Sequence, residues 1–167
     1  YVSGHLALPE GAQLTVDGTI FCVNGELTCD SVAVQNGAMA EFICAWRGTD
    51  GAASLSVSGG SWVYTRDGDL ELESIELSGA SMLVYDSIQS ALLSSVTVSD
   101  SSYLAIAGTG VTDAALDSRA SGAHIIQLSA LQAGSIALSG SVYSQAGSLS
   151  LGGGSVLSID AGSFFRS

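Results

Sequence analysis

Leu55-Ser-Val-Ser-Gly-Gly-Ser-Trp-Val-Tyr64 decides the fold. Leu55 and Val57 alternate with serine, the pattern of a strand that turns one face inward. Ser58-Gly-Gly-Ser61 follows as a corner of small residues, tolerant of backbone angles that bulkier side chains resist. A second apolar strand then opens at Trp62. The unit is a β-arch, and it recurs along the chain. Copies run from Leu14-Thr-Val-Asp-Gly-Thr-Ile-Phe-Cys-Val23, Val32-Ala-Val-Gln-Asn-Gly-Ala-Met39, Ile75-Glu-Leu-Ser-Gly-Ala-Ser-Met-Leu-Val84 and Val96-Thr-Val-Ser-Asp-Ser-Ser-Tyr-Leu-Ala105. Ile136-Ala-Leu-Ser-Gly-Ser-Val-Tyr143 and Leu149-Ser-Leu-Gly-Gly-Gly-Ser-Val-Leu-Ser-Ile159 extend the series, with a degenerate copy at Leu116. Successive starts at 14, 32, 55, 75, 96, 116, 136 and 149 lie 18, 23, 20, 21, 20, 20 and 13 residues apart, a period near 20.

One arch cannot bury its apolar side. Coils stacked about 4.8 Å apart pair their backbones in parallel and merge their inward side chains into a core. The expected fold is therefore all-β: a β-solenoid, or β-helix, of about eight rungs of roughly 20 residues with parallel sheets. It forms a single domain over 1–167, with 1–13 as an N-terminal lead-in, 14–160 as repeats and 161–167 as a C-terminal tail. No segment carries a sustained helical period with caps.

Columns down the stack carry the reading from fold to surface. Seven residues after each start come Phe21, Met39, Trp62, Met82, Tyr103, Ala123, Tyr143 and Val156; one residue later come Cys22, Ala40, Val63, Leu83, Leu104, His124, Ser144 and Leu157. Adjacent strand positions point to opposite faces, and both columns are mostly apolar. One can face the core, so the other needs a flanking loop or a neighbouring subunit. The near-continuous aromatic and methionine column favours the subunit, with Phe21, Met39, Trp62, Met82, Tyr103, Tyr143 and Val156 as assembly-interface candidates. The last rungs keep the repeat chemistry almost to the terminus, with no obvious cap on the final sheet edges. End-to-end or side-by-side polymerisation follows from that; loss of a following domain from a longer chain would explain the same uncapped edges.

Composition excludes several classes. Only 12% of residues are charged, none is Lys, and Arg47, Arg66, Arg119 and Arg166 stand against 16 acids for a net charge of -12. A nucleic-acid partner needs a clustered basic footprint, which these scattered arginines do not make. Gly, Ser and acidic residues interrupt every apolar run, so no helix is expected to insert in a membrane. A start at Tyr1 rather than Met fits removal of a targeting segment or a trimmed chain. High Ser and Gly with no Lys point to an extracellular or cell-surface location.

Cys22, Cys29 and Cys44 form an odd set in the first quarter of the chain. They are disulfide candidates or structural thiols. Asn24-Gly25 is a turn signal that can bring Cys22 to Cys29, whereas the 22-residue spacing of Cys22 and Cys44 would stack them on neighbouring rungs. Paired Cys-x-x-Cys knuckles are missing, and His5 and His124 are remote in sequence, which disfavours a metal site.

Catalytic chemistry has little to work with. Leu70 and Leu72 would face inward and Asp69, Glu71 and Glu73 outward, a weak candidate for Ca²⁺. Carboxylates two apart on a strand lie about 6.7 Å apart at the backbone, only loosely compatible with a glycosidase pair, and a solvated strand face is the favoured reading. No Gly-x-Ser-x-Gly elbow accompanies the serines, which recur at corners where small size suffices. His124 reads as a packed, hydrogen-bonded residue. Gly152-Gly-Gly154 lies at an arch corner and lacks the Gly-Lys-Ser/Thr of a phosphate loop. No catalytic residue, cofactor or firm metal site is expected.

The units at Leu55 and Leu149 resemble the β-solenoid repeats of secreted bacterial adhesins and autotransporter passengers. Repetition with an apolar outer column and Cys also resembles polymeric cell-envelope proteins, including the sheaths of some filamentous methanogenic archaea. The resemblance spans about residues 14 to 160 and implies an extracellular scaffold or adhesive role, with no catalytic residue carried over. The expected function is a structural subunit that self-assembles through sheet edges or the outer column into a sheath, layer or fibre. An adhesin segment recognising glycan or protein is the alternative, with contact to glycan or other envelope components open. A polysaccharide-acting β-helix enzyme comes last.

Overall fold

A computed structural model describes the backbone of residues 1–51, 53–66, 70–88, 91–108, 111–119, 124–127, 131–138, 142–145, 149–159 and 164–166, and the side chains of 1–51, 53–66, 72–83, 97–104 and Ser158. The described strands are β1 (Val2–Ala7), β2 (Gln13–Asp17), β3 (Ile20–Thr28), β4 (Ser31–Gln35), β5 (Met39–Arg47), β6 (Ser54–Val57), β7 (Trp62–Arg66), β8 (Leu70–Leu77) and β9 (Met82–Ile88). They continue as β10 (Ala91–Ser99), β11 (Tyr103–Gly108), β12 (Val111–Arg119), β13 (His124–Gln127), β14 (Leu131–Leu138), β15 (Val142–Gln145), β16 (Leu149–Ile159) and β17 (Phe164–Arg166). Among the described residues there is no helix.

Every pairing is parallel and, apart from a single contact between β5 and β8, skips one strand, as a coiling chain requires. The even-numbered strands form one ladder, wall A, in which Leu14 pairs with Val32, Val32 with Leu55, Leu55 with Ile75 and Ile75 with Val96. The odd-numbered strands form wall B, in which Met39 pairs with Trp62 and Trp62 with Met82. Trp46 pairs with Leu70 where the chain passes from wall B back to wall A. The protein is a β-solenoid.

The coil count departs from the eight expected: about four turns are stacked with their interior described. The expected last start is also misplaced. Leu149 pairs with Leu131, and the residue that joins Ile136 in the wall A ladder is Leu157, because β16 bulges between those two pairings. The 13-residue interval read from the sequence reflects that misplacement. Residues 2–7, read as lead-in, form β1 against β3, and Phe164–Arg166 of the expected tail pairs with β15.

Strict alternation builds the interior. Wall A turns Val16, Val32, Val34, Leu55, Val57, Ile75, Leu77 and Val98 inward, each at most 2% exposed. Wall B contributes Val23, Leu27, Ala40, Phe42, Trp46, Val63, Leu83 and Leu104, equally buried. Each large aliphatic or aromatic side chain so buried contributes roughly 1.5–3 kcal/mol. Trp46 is satisfied as well as packed: its indole N–H donates to the Cys29 carbonyl at 3.0 Å, and its ring lies 5.4 Å from that of Phe42.

The corners from wall A to wall B explain the Gly/Ser signature. Two consecutive residues take left-handed angles at four of them: Asn36 and Gly37, Gly59 and Gly60, Gly79 and Ala80, Asp100 and Ser101; the shorter corner at Asp17–Thr19 has only Gly18. Such a pair reverses the chain in the manner of a type I′ turn. The turns also stack, with Gly37, Gly60 and Ala80 donating N–H to the carbonyls of Gly59, Gly79 and Asp100 one rung on. At Gly79 a Cβ would sit 3.0 Å from the Gly59 nitrogen, so glycine here relieves both a left-handed angle and a tight approach. Behind the turns runs a buried serine ladder. Ser61 N–H donates to Ser81 Oγ at 3.3 Å, Ser81 N–H to Ser102 Oγ at 3.1 Å, and Ser61 Oγ–H to the Ser58 carbonyl at 2.6 Å. These serines close hydrogen bonds as well as being small.

Asp30 ties neighbouring coils at another corner. Its carboxylate accepts from the backbone N–H of Thr49 at 2.5 Å and of Gly11 at 2.7 Å, and these bonds, Thr49 first, hold its pKa below the ordinary value. A depressed folded pKa contributes stability above the unfolded value and loses it as pH falls through the folded one. Thermal melts between about pH 5 and about pH 2 should show wild type losing stability with acid, and Asp30→Asn should show a smaller loss over that window. At the corners, Gly79→Ala should destabilise by about 1–2 kcal/mol for the left-handed angle plus backbone crowding. Gly60→Ala, with nothing within 4 Å of its Cβ, should cost less, so equilibrium denaturant unfolding should rank the pair in that order.

Candidate functional site: an exposed apolar ladder

The outer side of wall B carries large apolar side chains in register. Ile20 pairs with Met39, Met39 with Trp62, Trp62 with Met82 and Met82 with Tyr103. Ile20 is 77% exposed, Met39 46% and Trp62 52%, while Met82 and Tyr103 are half-buried. The adjoining column, Phe21, Ala40, Val63, Leu83 and Leu104, points into the core. Met39, Ala40, Glu41, Trp62, Val63, Tyr64 and Met82 line a groove of about 390 Å³ on this face. A smaller hollow of about 190 Å³ adjoins it between Met39, Trp62 and the corner residues Gly37, Ala38 and Gly60.

Four of the seven interface candidates, Met39, Trp62, Met82 and Tyr103, share this column. Phe21 does not: it packs against the core, with its ring 6.5 Å from Phe42. Its place is taken by Ile20, which the sequence reading missed. The corner Asp17-Gly-Thr19 is one residue shorter than Gln35-Asn-Gly-Ala38, and a one-residue slip moves a side chain to the opposite face. The same slip separates Tyr143 from the column, because Val142 is the residue paired with His124, and His124 is the one paired with Tyr103. Val156 lies in wall A opposite Ser135. The side chains of His124, Tyr143 and Val156 lie outside the described residues.

Charges on wall B occur as pairs among the described side chains. Arg66 lies 3.7 Å from Glu41, and Arg47 bonds Glu26, whose pKa is held down by Arg47 and then by His5. His5 in turn bonds the Thr28 hydroxyl at 3.0 Å. The candidate Ca²⁺ carboxylates are less informative: Asp69 and the Glu71 side chain lie outside the described residues, and Glu73 is exposed. Among the described residues no group of three or more possible metal ligands is found.

All three cysteines are free thiols. Cys22 is opposite Glu41, not Cys44, because this coil is 19 residues long and the 22-residue spacing overshoots it by three. Its thiol lies 3.7 Å from Glu41 Oε2 and is pushed up by desolvation and by that carboxylate. Cys29 is buried and donates to the Ser31 carbonyl at 3.0 Å. Burial pushes Cys44 up to about 12.

Comparison of the chain with protein-family models, curated proteins and solved structures finds no match.

Two solution measurements check this placement. A thiol reagent at neutral pH should modify one cysteine per folded chain, Cys22, slowly, and all three after denaturation; rapid modification of three in the folded state would contradict the burial of Cys29 and Cys44. Acrylamide should quench Trp62 and leave the 1%-exposed Trp46 protected, so Trp62→Phe should remove most of the quenchable emission.

Proposed function

We propose that the chain is a structural, self-assembling β-solenoid subunit of an extracellular layer, sheath or fibre. The observation that carries this reading is the run of Ile20, Met39 and Trp62 on consecutive rungs, exposed on a strand whose other side already fills the core. A contiguous apolar strip of this kind on a folded domain marks a surface that another molecule covers. The chemistry elsewhere supports the same reading. The described outer positions of wall A are small or polar, such as Thr15, Ser56 and Thr97, and offer a partner no comparable anchor. Partners of this kind are copies of the chain, with glycan or envelope contact secondary.

The groove beside Trp62 and Tyr64 favours one competing reading, a binding module for glycan or protein, since aromatic side chains at a groove provide flat apolar contact. Negative-stain microscopy and sedimentation over a concentration series separate the two. Ordered polymers or a mass that climbs with concentration are expected, and replacing Trp62 and Tyr103 with Ser should reduce both. A monodisperse monomer throughout removes the structural reading and leaves the binding module.

A further inference from the structure

In residue type the ladder reads alike in both directions from its centre. On either side of Trp62 stand Met39 and Met82, and beyond them the large apolar Ile20 and Tyr103. These side chains repeat at the strand spacing, about 4.8 Å. A surface that fills the gap on every rung needs that same repeat. A lone extended peptide presents same-side groups every 6.7 Å or so, and a helix advances about 5.4 Å per turn. Another β-solenoid ladder has the matching period.

Charge points to the same occupant. Copies that each carry -12 repel one another wherever their acids meet. On the outer side of wall B, among the described side chains, each acid is matched by an arginine: Glu41 by Arg66 and Glu26 by Arg47. The wall B strands hold three of the chain's four arginines, Arg47, Arg66 and Arg166, against three acids, Glu26, Glu41 and Asp86, so two copies meet there with little net repulsion.

Resting on the structural reading above, we infer that wall B docks against wall B of a second copy, antiparallel, about a two-fold axis at the Trp62 rung. The axis lies in the interface and runs along the strands. It sets Met39 of one copy against Met82 of the other, Ile20 against Tyr103, and Trp62 beside its own symmetry mate. The contact is isologous and self-complementary. From Ile20 to Tyr103 the strip is about 19 Å long and, over three outward positions per strand, about 14 Å wide. That is on the order of 270 Å² per copy, against about 800 Å² in a stable complex. The pair is therefore reversible and concentration-dependent.

Cross-linking tests the arrangement. In a Cys22→Ser background, Met39→Cys and Met82→Cys chains are prepared separately, oxidised alone and oxidised as a mixture, with circular dichroism confirming the fold. Disulfide-linked dimers are expected in the mixture and not in either chain alone; Cys29 and Cys44 are buried and stay silent. If wild type sediments above monomer mass but Met39→Cys links to itself, or the mixture does not link, the antiparallel pairing is overturned while self-assembly stands. If wild type stays monomeric at every concentration, both fall. Wild type gives a readout independent of the variants: acrylamide quenching of Trp62 should drop as concentration rises. Unchanged quenching would overturn the placement of Trp62 in the contact.

Discussion

Backbone pairing between coils is the constraint on which everything else in this protein depends. Each wall strand must present its N–H and C=O groups to strands one spacing above and below, in parallel and in register. A coil can satisfy that requirement only if it closes over the same path as its neighbours. The corners therefore carry the fold. At four corners two successive left-handed residues turn wall A into wall B, and at three of these one amide bonds a carbonyl of the next corner. Where corners touch closely, as at Gly59 and Gly79, a Cβ would press on the neighbouring corner's backbone at 3.0–3.1 Å. Asn36, Ala80, Asp100 and Ser101 adopt the same angles without glycine, so stacking over-determines the turn strongly enough to hold ordinary residues there.

Once coils superpose, side chains become columns, and each column acquires a single environment. Inward columns merge into one apolar interior that runs from Val16 to Leu104. The column behind the corner admits only small side chains, and its serines use the site for a ladder of buried hydrogen bonds. Thr65 is an exception, with a buried hydroxyl that finds no partner among the described groups. Outward columns inherit the same regularity without the burial. The periodicity of the Met39–Trp62–Met82 strip is thus a by-product of the backbone ladder.

Much of this order is written in the sequence, and the parts that are not share a physical cause. Leu14, Val32, Leu55, Ile75, Val96, Leu116 and Ile136 are recognisable as equivalent from pattern alone, and the ladder aligns them. Strand alternation is local, so it survives inspection of a single unit. Parity across a corner is not local: the loss of one turn residue between Val16 and Ile20 exchanges inside for outside, which is why Phe21 and Ile20 trade places. A mean period near 20 conceals coils of unequal length, and this misplaced Cys44 relative to Cys22. Asp30 left no signal at all, because its partners Gly11 and Thr49 come from 19 residues on either side.

The two sides of wall B answer to different demands. Val63 and Leu83 are held by the interior, and any change there is felt by the whole stack. Ile20, at 77% exposed, loses little water contact on folding, so folding does not require it to be apolar. Serine or threonine, abundant elsewhere in this chain, would keep the strand and improve solubility. A net charge of -12 works against association everywhere except where acids are neutralised, and the neutral pairs lie on the same wall as the exposed apolar strip. Apolar contact and charge balance are independent properties of the surface. Their coincidence on one wall is the ground on which a docking face is proposed there.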